Sequence, residues 1–268
     1  MDAKVIVTGA SGSMGAAAAE ALARQGRPVV MACRNTQKAE TVRADILSRV
    51  PGARLEIRPL ELSSMASVRE FAAGFGSGEV GALFNNAGVI SRSYALTADG
   101  LEHTFAVNYF GPFLLTNLLL PALDEDARIV NMVSLTCRFV TLSPESLRPG
   151  ERDFSRLGTY ARSKLALLYF SLALARRRPS LKVNVADPGV VNSNMITMGK
   201  WFDPLADRLF RPLCKRPEDG VRPALSALQC PESGRYFVGR RSGPVPSRWQ
   251  DDYLQERLWS DTEKILSL

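Results

Sequence analysis

The sequence predicts an α/β fold: a doubly wound parallel sheet of about seven strands with helices on both faces. Three observations lead there. Short β-type runs alternate with helical patterns along nearly the whole chain. The first of these runs passes through a glycine-rich loop directly into a helix. A length of 268 residues, 46% hydrophobic and 23% charged, suits one globular domain with a large core, taken as residues 1–268.

Lys4 to Thr8 is the first strand. Gly9-Ala10-Ser11-Gly12-Ser13-Met14-Gly15 follows, and Ala16 to Gln25 reads as a helix closed by Gly26. Strand, glycine loop and helix in this order open a Rossmann-type dinucleotide fold. The loop backbone can approach a pyrophosphate, and the helix N-terminus offers N–H groups and a positive dipole end. Pro28 to Ala32 is a second strand, ending in Cys33-Arg34-Asn35. In such a fold this end faces the adenosine ribose, ~20 residues past the glycines. An acidic residue there would accept from the ribose 2′-hydroxyl and select NAD. None is present, and Arg34 can instead grip a 2′-phosphate, so the expected cofactor is NADP(H). The plain alternative is a surface arginine at a strand end.

Thr36 to Val50 is an amphipathic helix ended by Pro51-Gly52. Arg54 to Arg58 alternates like a strand, and Glu61-Leu62-Ser63-Ser64 leads into a helix around Ala66 to Ala73 with the serines as caps. Val80 to Phe84 is a fourth strand running into Asn85-Asn86-Ala87-Gly88. Gly100 to Leu120 is a long helical pattern interrupted at Gly111-Pro112, where proline should bend it near Asn108. Arg128 to Val133 is a fifth strand. Ser134 stands at its C-terminal end, the edge beyond which open parallel sheets bind ligands.

Gly158-Thr159-Tyr160-Ala161-Arg162-Ser163-Lys164 opens an apolar helix that ends in Arg176-Arg177-Arg178 before Pro179. Tyr160 and Lys164 are four apart and share a helix face. A free phenol ionises near ~10, and a cation alongside favours its charged form. Such a phenol can pass a proton to or from an alcohol oxygen. The plain alternative is a helix-edge tyrosine beside a solvated lysine. Lys182 to Ala186 is the next strand and runs into Asp187-Pro188-Gly189-Val190-Val191. Glu218 to Gln229 is helical, Arg235 to Val238 is a last strand, and Gln250 to Leu266 is an amphipathic tail helix.

Composition narrows the function. The formal charge of +7 comes from scattered arginine, with no dense basic tract, so nucleic acid is not an expected partner. Cys33, Cys137, Cys214 and Cys230 lie far apart without Cys-x-x-Cys spacing and read as reduced thiols in a cytoplasmic setting. No uninterrupted apolar run reaches the ~18 residues of a membrane span. The lone histidine, His103, leaves no multi-histidine metal site and no Ser-His-Asp triad. It is expected on a helix surface, and no metal is expected.

Taken together and in register, these motifs resemble the short-chain dehydrogenase/reductase family, and within it the retinol dehydrogenase-like branch. The finer likeness rests on Ala32-Cys33-Arg34-Asn35, Ser163-Lys164-Leu165-Ala166, Gly234-Arg235-Tyr236-Phe237 and Leu258-Trp259. The resemblance implies a carbonyl–alcohol oxidoreductase. Tyr160 would be the proton donor in reduction, and Lys164 would lower the phenol pKa and hold the nicotinamide ribose. Ser134 would bind the substrate oxygen, and Asn108 would hold a relay water. It also implies cofactor contacts from Gly9, Ser11, Gly12, Ser13, Met14, Gly15, Arg34, Asn35, Glu61, Leu62, Asn86, Ala87, Gly88, Tyr160, Lys164, Pro188, Gly189, Val191 and Ser193.

Several positions depart from the family pattern, among them Ser193, which stands where a threonine is often found and keeps the hydroxyl. Ser13 replaces a usual glycine, which gives the loop the spacing of the extended, epimerase-containing branch. Glu61 stands for the usual adenine-side aspartate, and Val133 for a first serine. The substrate loop falls at about 190–216. Its Trp201, Phe202, Leu205, Leu209, Phe210 and Leu213 suggest a lipophilic carbonyl or alcohol such as a steroid or retinoid, or equally a covering of the core. Its arginines leave an anionic membrane surface as a further partner. Helices apolar nearly all round suggest a homodimer or homotetramer. Two other readings stand beside the enzyme: a nucleotide-binding scaffold without turnover, and an extended-branch epimerase or dehydratase. The full set Asn108, Ser134, Tyr160 and Lys164 opposes the first; Arg34 and the chain length oppose the second.

Overall fold

The computed structural model describes residues 3–191 and 215–268. Ser193, Cys214 and most of the expected substrate loop lie outside the described residues. Eight strands form one sheet in the order β3-β2-β1-β4-β5-β6-β7-β8. They are β1 Lys4–Thr8, β2 Val29–Cys33, β3 Leu55–Pro59, β4 Val80–Asn85, β5 Leu123–Met132, β6 Lys182–Asp187, β7 Arg235–Val238 and β8 Arg241–Pro244. The first seven run parallel, and β8 pairs antiparallel with β7. The helices are α1 Ser13–Arg24, α2 Thr36–Arg49, α3 Met65–Ala73, α4 His103–Phe105, α5 Gly111–Leu119, α6 Arg156–Arg177, α7 Pro217–Gln229 and α8 Asp252–Leu266.

Central strands are apolar at successive positions because both sheet faces are covered. Val5, Val7, Met31 and Phe84 pack with Ala18 and Leu22 of α1 and Val221 and Ala224 of α7. Ile6, Val30, Leu83 and Val183 pack on the other face with Val68 of α3, Leu114 of α5 and Leu167 of α6. Strand order reverses between β1 and β4, so a crevice opens beyond the C-terminal ends of those strands.

The structure corrects several expectations. An eighth strand follows β7 after a two-residue turn at Gly239-Arg240; Gly243 and Pro244 hid it, and an edge strand tolerates both. β5 starts at Leu123, five residues before the expected Arg128, across an acidic stretch that only an exposed strand end accepts. The long helix around Asn108 starts at His103 and contains a π-helical turn, Ala106–Phe110, in place of a simple proline bend. Pro112 has no N–H to give the carbonyl of Asn108, and Gly111 N–H bonds Ala106 O, five residues back. Over His103–Ala122 the chain is long and apolar enough to cross a membrane, but 78% of its 18-residue apolar window is buried inside the fold, as in a core helix.

The face of α5 and α6 that was expected to need a second subunit is covered by α8. Trp259 sits 4.9 Å from Phe113 and 5.4 Å from Phe170, and the two phenylalanines are 4.8 Å apart. Tyr109 Oη and Thr262 Oγ1 share a 2.7 Å hydrogen bond, and the Arg177 guanidinium lies 4.4 Å over the Trp259 ring. The chain itself therefore supplies the cover from which a homodimer or homotetramer was inferred.

Candidate active site

One cavity of about 1010 Å³ runs along the C-terminal edge of the sheet, from Arg34, Asn35 and Lys38 at one end to Ser134, Tyr160 and Lys164 at the other. Every described residue of the expected cofactor set lines it. Asn108 stands just behind it, fully buried. The sequence reading did not single out Lys38, Thr136, Arg156 or Leu157 as site residues, and they line it too. They carry no local signature; only their neighbours in the fold place them there.

The end of the cavity expected to take phosphate is built by the β1–α1 turn. Gly12 caps α1 with Gly12 N–H on Gly9 O at 3.0 Å, and Ser13 is the exposed first residue of the helix. The Ser13 backbone is not left-handed and its side chain is free, so the turn makes no demand for glycine there. Gly15 differs: a Cβ would lie 2.2 Å from Gly9 O and 2.8 Å from Ala10 Cα, so only glycine lets the helix seat on the turn. Thr8 Oγ1 ties the turn to the next wall by accepting from Asn86 N and Ala87 N, each at 3.0 Å. Thr8 was missed as a support, although it directly precedes Gly9. These free helix-terminal amides and the glycine-lined approach fit a dinucleotide pyrophosphate.

At the end expected to face the ribose, Asn35 caps α2 by accepting from Lys38 N at 2.8 Å. Arg34 reaches Glu61 at 3.4 Å, with 70% of its side chain exposed. Burial pushes the Glu61 carboxyl up, but the Ser63 amide and hydroxyl and the Arg34 charge hold it below the usual carboxylate range. An arginine and a lysine thus line this end of the cavity.

At the other end three groups converge. Ser134 follows β5, caps the short 3₁₀ turn Leu135–Phe139, and lines the cavity with Tyr160. Ser134 Oγ accepts from Thr136 N at 3.3 Å and from Thr136 Oγ1 at 3.0 Å. Thr136 thus uses Ser134 Oγ as an acceptor and leaves the serine's own proton for another partner. Lys164 Nζ donates to Met132 O at 2.9 Å, leaving two of its three protons for a ligand. Asn108 donates to Val89 O at 3.0 Å and Ser163 Oγ at 2.9 Å and accepts from Val89 N at 2.8 Å. It pins the Gly88-Val89 wall to α6, so its side chain holds protein rather than pointing to a substrate.

Burial pushes the Tyr160 phenol up to about 12; Cys137 and Asp187 add to this and the Ser134 hydrogen bond opposes it. Burial pulls the Lys164 ammonium down to about 8. The expected lowering of the phenol by Lys164 is not what this arrangement produces, because the loss of water around the buried phenol dominates and the ammonium is turned to Met132 O. His103 begins α4 half-buried, with Nδ1 2.9 Å from Ser91 Oγ, and is not part of the cavity lining. Among the described residues no cluster of His, Cys, Asp and Glu is placed to hold a metal.

A doubly wound sheet with a dinucleotide cradle at its switch point and a Ser–Tyr–Lys set at the same edge defines a nucleotide-dependent oxidoreductase. The comparisons agree. The profile of the short chain dehydrogenase family matches residues 3–200, and the chain belongs to that family. Retinol dehydrogenase 13 of Homo sapiens is 34% identical over 98% of this chain and 84% of its own length. Polyprenol dehydrogenase of Mus musculus is 36% identical over 96% and 81%. The chain therefore falls in the retinol dehydrogenase-like branch. A crystal structure of an uncharacterized protein from Mycobacterium Paratuberculosis superposes with a TM-score of 0.80 at 32% identity, covering 99% of this chain and 93% of that one. A Sphingobium yanoikuyae short-chain dehydrogenase in complex with NADPH gives 0.70 at 23% identity, over 97% and 95%, and shares the fold.

Proposed function

We propose that the protein is an NADP(H)-dependent reductase and dehydrogenase that interconverts a carbonyl and an alcohol on a lipophilic small molecule. The observation that carries this is the convergence of Ser134, Tyr160 and Lys164 on one cavity whose far end carries Arg34 and Lys38. The cofactor, when bound, supplies hydride to the carbonyl carbon. Tyr160 gives its phenolic proton to the oxygen, where negative charge develops. Ser134 donates a hydrogen bond to the same oxygen, and its orientation is fixed by Thr136. Lys164 holds the ribose with its two remaining protons, and Asn108 acts as a positioning residue, with any relay water lying behind Lys164. The 2′-phosphate would sit between Arg34, Lys38 and the start of α2.

A lipophilic substrate is supported by Val89, Ile90, Val107, Leu157 and Val190, which line the cavity near Tyr160. The names of the relatives, dehydrogenases of retinol and polyprenol, point the same way. The whole chain would act as one cofactor-binding and catalytic unit. The test is NADPH oxidation across long-chain aldehydes, retinoid and polyprenoid aldehydes, and ketosteroids. Turnover of at least one apolar carbonyl, faster with NADPH than with NADH, is expected. Turnover confined to small polar carbonyls would reject the substrate class, and faster turnover with NADH would reject the cofactor assignment.

A further inference from the structure

One charged side chain of the cavity has no part in the mechanism above. Arg156, Tyr160 and Lys164 stand at four-residue intervals along α6, so they form a row on one face of the helix. Arg156 lines the same cavity as the other two and is half-buried, with its Nε shielded from water. It is the first residue of α6, where a cation opposes the helix dipole and an acid would be the stabilising choice. The needs of the helix therefore do not account for it. Among the described lining residues the charges fall into two groups. Arg34, Lys38 and Glu61 lie at the end expected to face the ribose, and Glu61, the one carboxylate among them, pairs with Arg34 at 3.4 Å. Arg156 and Lys164 belong to the α6 wall and give the substrate half of the cavity a positive potential. Next to Arg156 the wall turns apolar and open: Leu157 is 65% exposed and Val190 58%, and both line the cavity.

Resting on the carbonyl–alcohol reading above, we propose that the substrate is an oxo acid with an apolar tail, whose carboxylate is held by Arg156 while its carbonyl faces Tyr160. The guanidinium fork matches a carboxylate in shape and in charge. One arginine balances one negative charge; a phosphate monoester would bring ~1.5–2 and leave a surplus against the apolar wall. Arg156 and Tyr160 start about 6 Å apart along the helix axis, at 1.5 Å per residue, which sets the carboxylate a few carbons from the carbonyl. The tail then leaves past Leu157 and Val190. Lys164 is not the holder: its ammonium donates to Met132 O at 2.9 Å and, in the reading above, to the ribose. In reduction, hydride from NADPH adds to the carbonyl carbon and the Tyr160 proton goes to its oxygen. The products are the hydroxy acid and NADP⁺, and the carboxylate is unchanged. Arg156 thus determines specificity without touching the reacting atoms.

The experiment uses the full chain with saturating NADPH, and the probes are δ-oxodecanoate and its methyl ester. In wild type kcat/KM should be at least about tenfold higher for the acid, mainly through KM, the worth of one charge-assisted bond. In Arg156→Gln that preference should vanish. A wild type indifferent to the charge overturns the proposal. So does a preference that persists in folded Arg156→Gln, because another cation would then hold the carboxylate. Should Arg156→Gln not fold, Arg156→Met, which keeps an unbranched stem, takes its place under the same outcomes. Binding is measured separately and needs no turnover. By calorimetry, octanoate should bind the NADPH-loaded wild type at least about tenfold more tightly than methyl octanoate, and the variant should bind the two alike. Equal binding in wild type, or an unchanged difference in the variant, also overturns the proposal. Wild type that oxidises NADPH with no carbonyl sinks the oxidoreductase reading, and the calorimetry then decides by itself whether Arg156 holds a carboxylate.

Discussion

Lys164→Met separates what the site needs from what the fold prefers. The Lys164 ammonium is fully enclosed and pulled down to about 8 from an ordinary 10.5. At ~1.36 kcal/mol per pH unit, that gap is worth about 3 kcal/mol. Its sign follows from proton counts. Below pH 8 folded and unfolded chains both carry the proton, and the folded state bears the whole cost of a buried charge. Between 8 and 10.5 the unfolded chain binds more protons, so stability rises with pH; above 10.5 both are neutral and the cost is gone. Methionine has no such cost at any pH, but it leaves Met132 O without its 2.9 Å partner, a pH-independent loss of ~1–3 kcal/mol. Urea unfolding of both proteins at pH 7 and pH 10.5 is the assay. Wild type is predicted to gain about 3 kcal/mol on the variant over that interval, and the variant to be inactive at both ends. A stability difference that stays constant with pH would refute the reasoning.

Other expectations follow from single contacts. Arg34→Asp exchanges a cation for an anion at the ribose end and should cut the ratio of NADP to NAD affinity ten- to a hundredfold, the worth of one charge-assisted bond; an unchanged ratio by fluorescence titration would remove Arg34 from the phosphate site. Gly15→Ala forces the β1–α1 turn apart, since its Cβ would meet Gly9 O at 2.2 Å, and NADPH binding by calorimetry should be lost. Light scattering should report a monomer, because Trp259 and its neighbours occupy the outer face of α5 and α6; a dimer that persists on dilution would show that another surface assembles the protein.

Much of this was legible in the sequence because its signals are local. The glycine turn, the cap Ser64, and the four-residue spacing of Tyr160 and Lys164 each depend on a few adjacent residues. Apolar runs gave the seven parallel strands for the same reason. What the sequence withheld depends on contacts between distant segments. Asn108 was visible as a polar residue beside a bend, but its bonds to Val89 and Ser163 come from three separate elements. The apolar outer side of α6 looked like a subunit interface because nothing in its own sequence says that Trp259, some ninety residues on, returns to cover it. The phenol was misjudged because a neighbouring cation can be counted along a helix, whereas burial cannot.

The central claim is that Tyr160 delivers the proton. It is tested most directly by comparing wild type with Tyr160→Phe for NADPH affinity and single-turnover NADPH oxidation by the best carbonyl found. The account predicts near-equal affinity and a rate lower by ~10²–10⁴ in the variant. A variant that binds NADPH and oxidises it at close to the wild-type rate would contradict it.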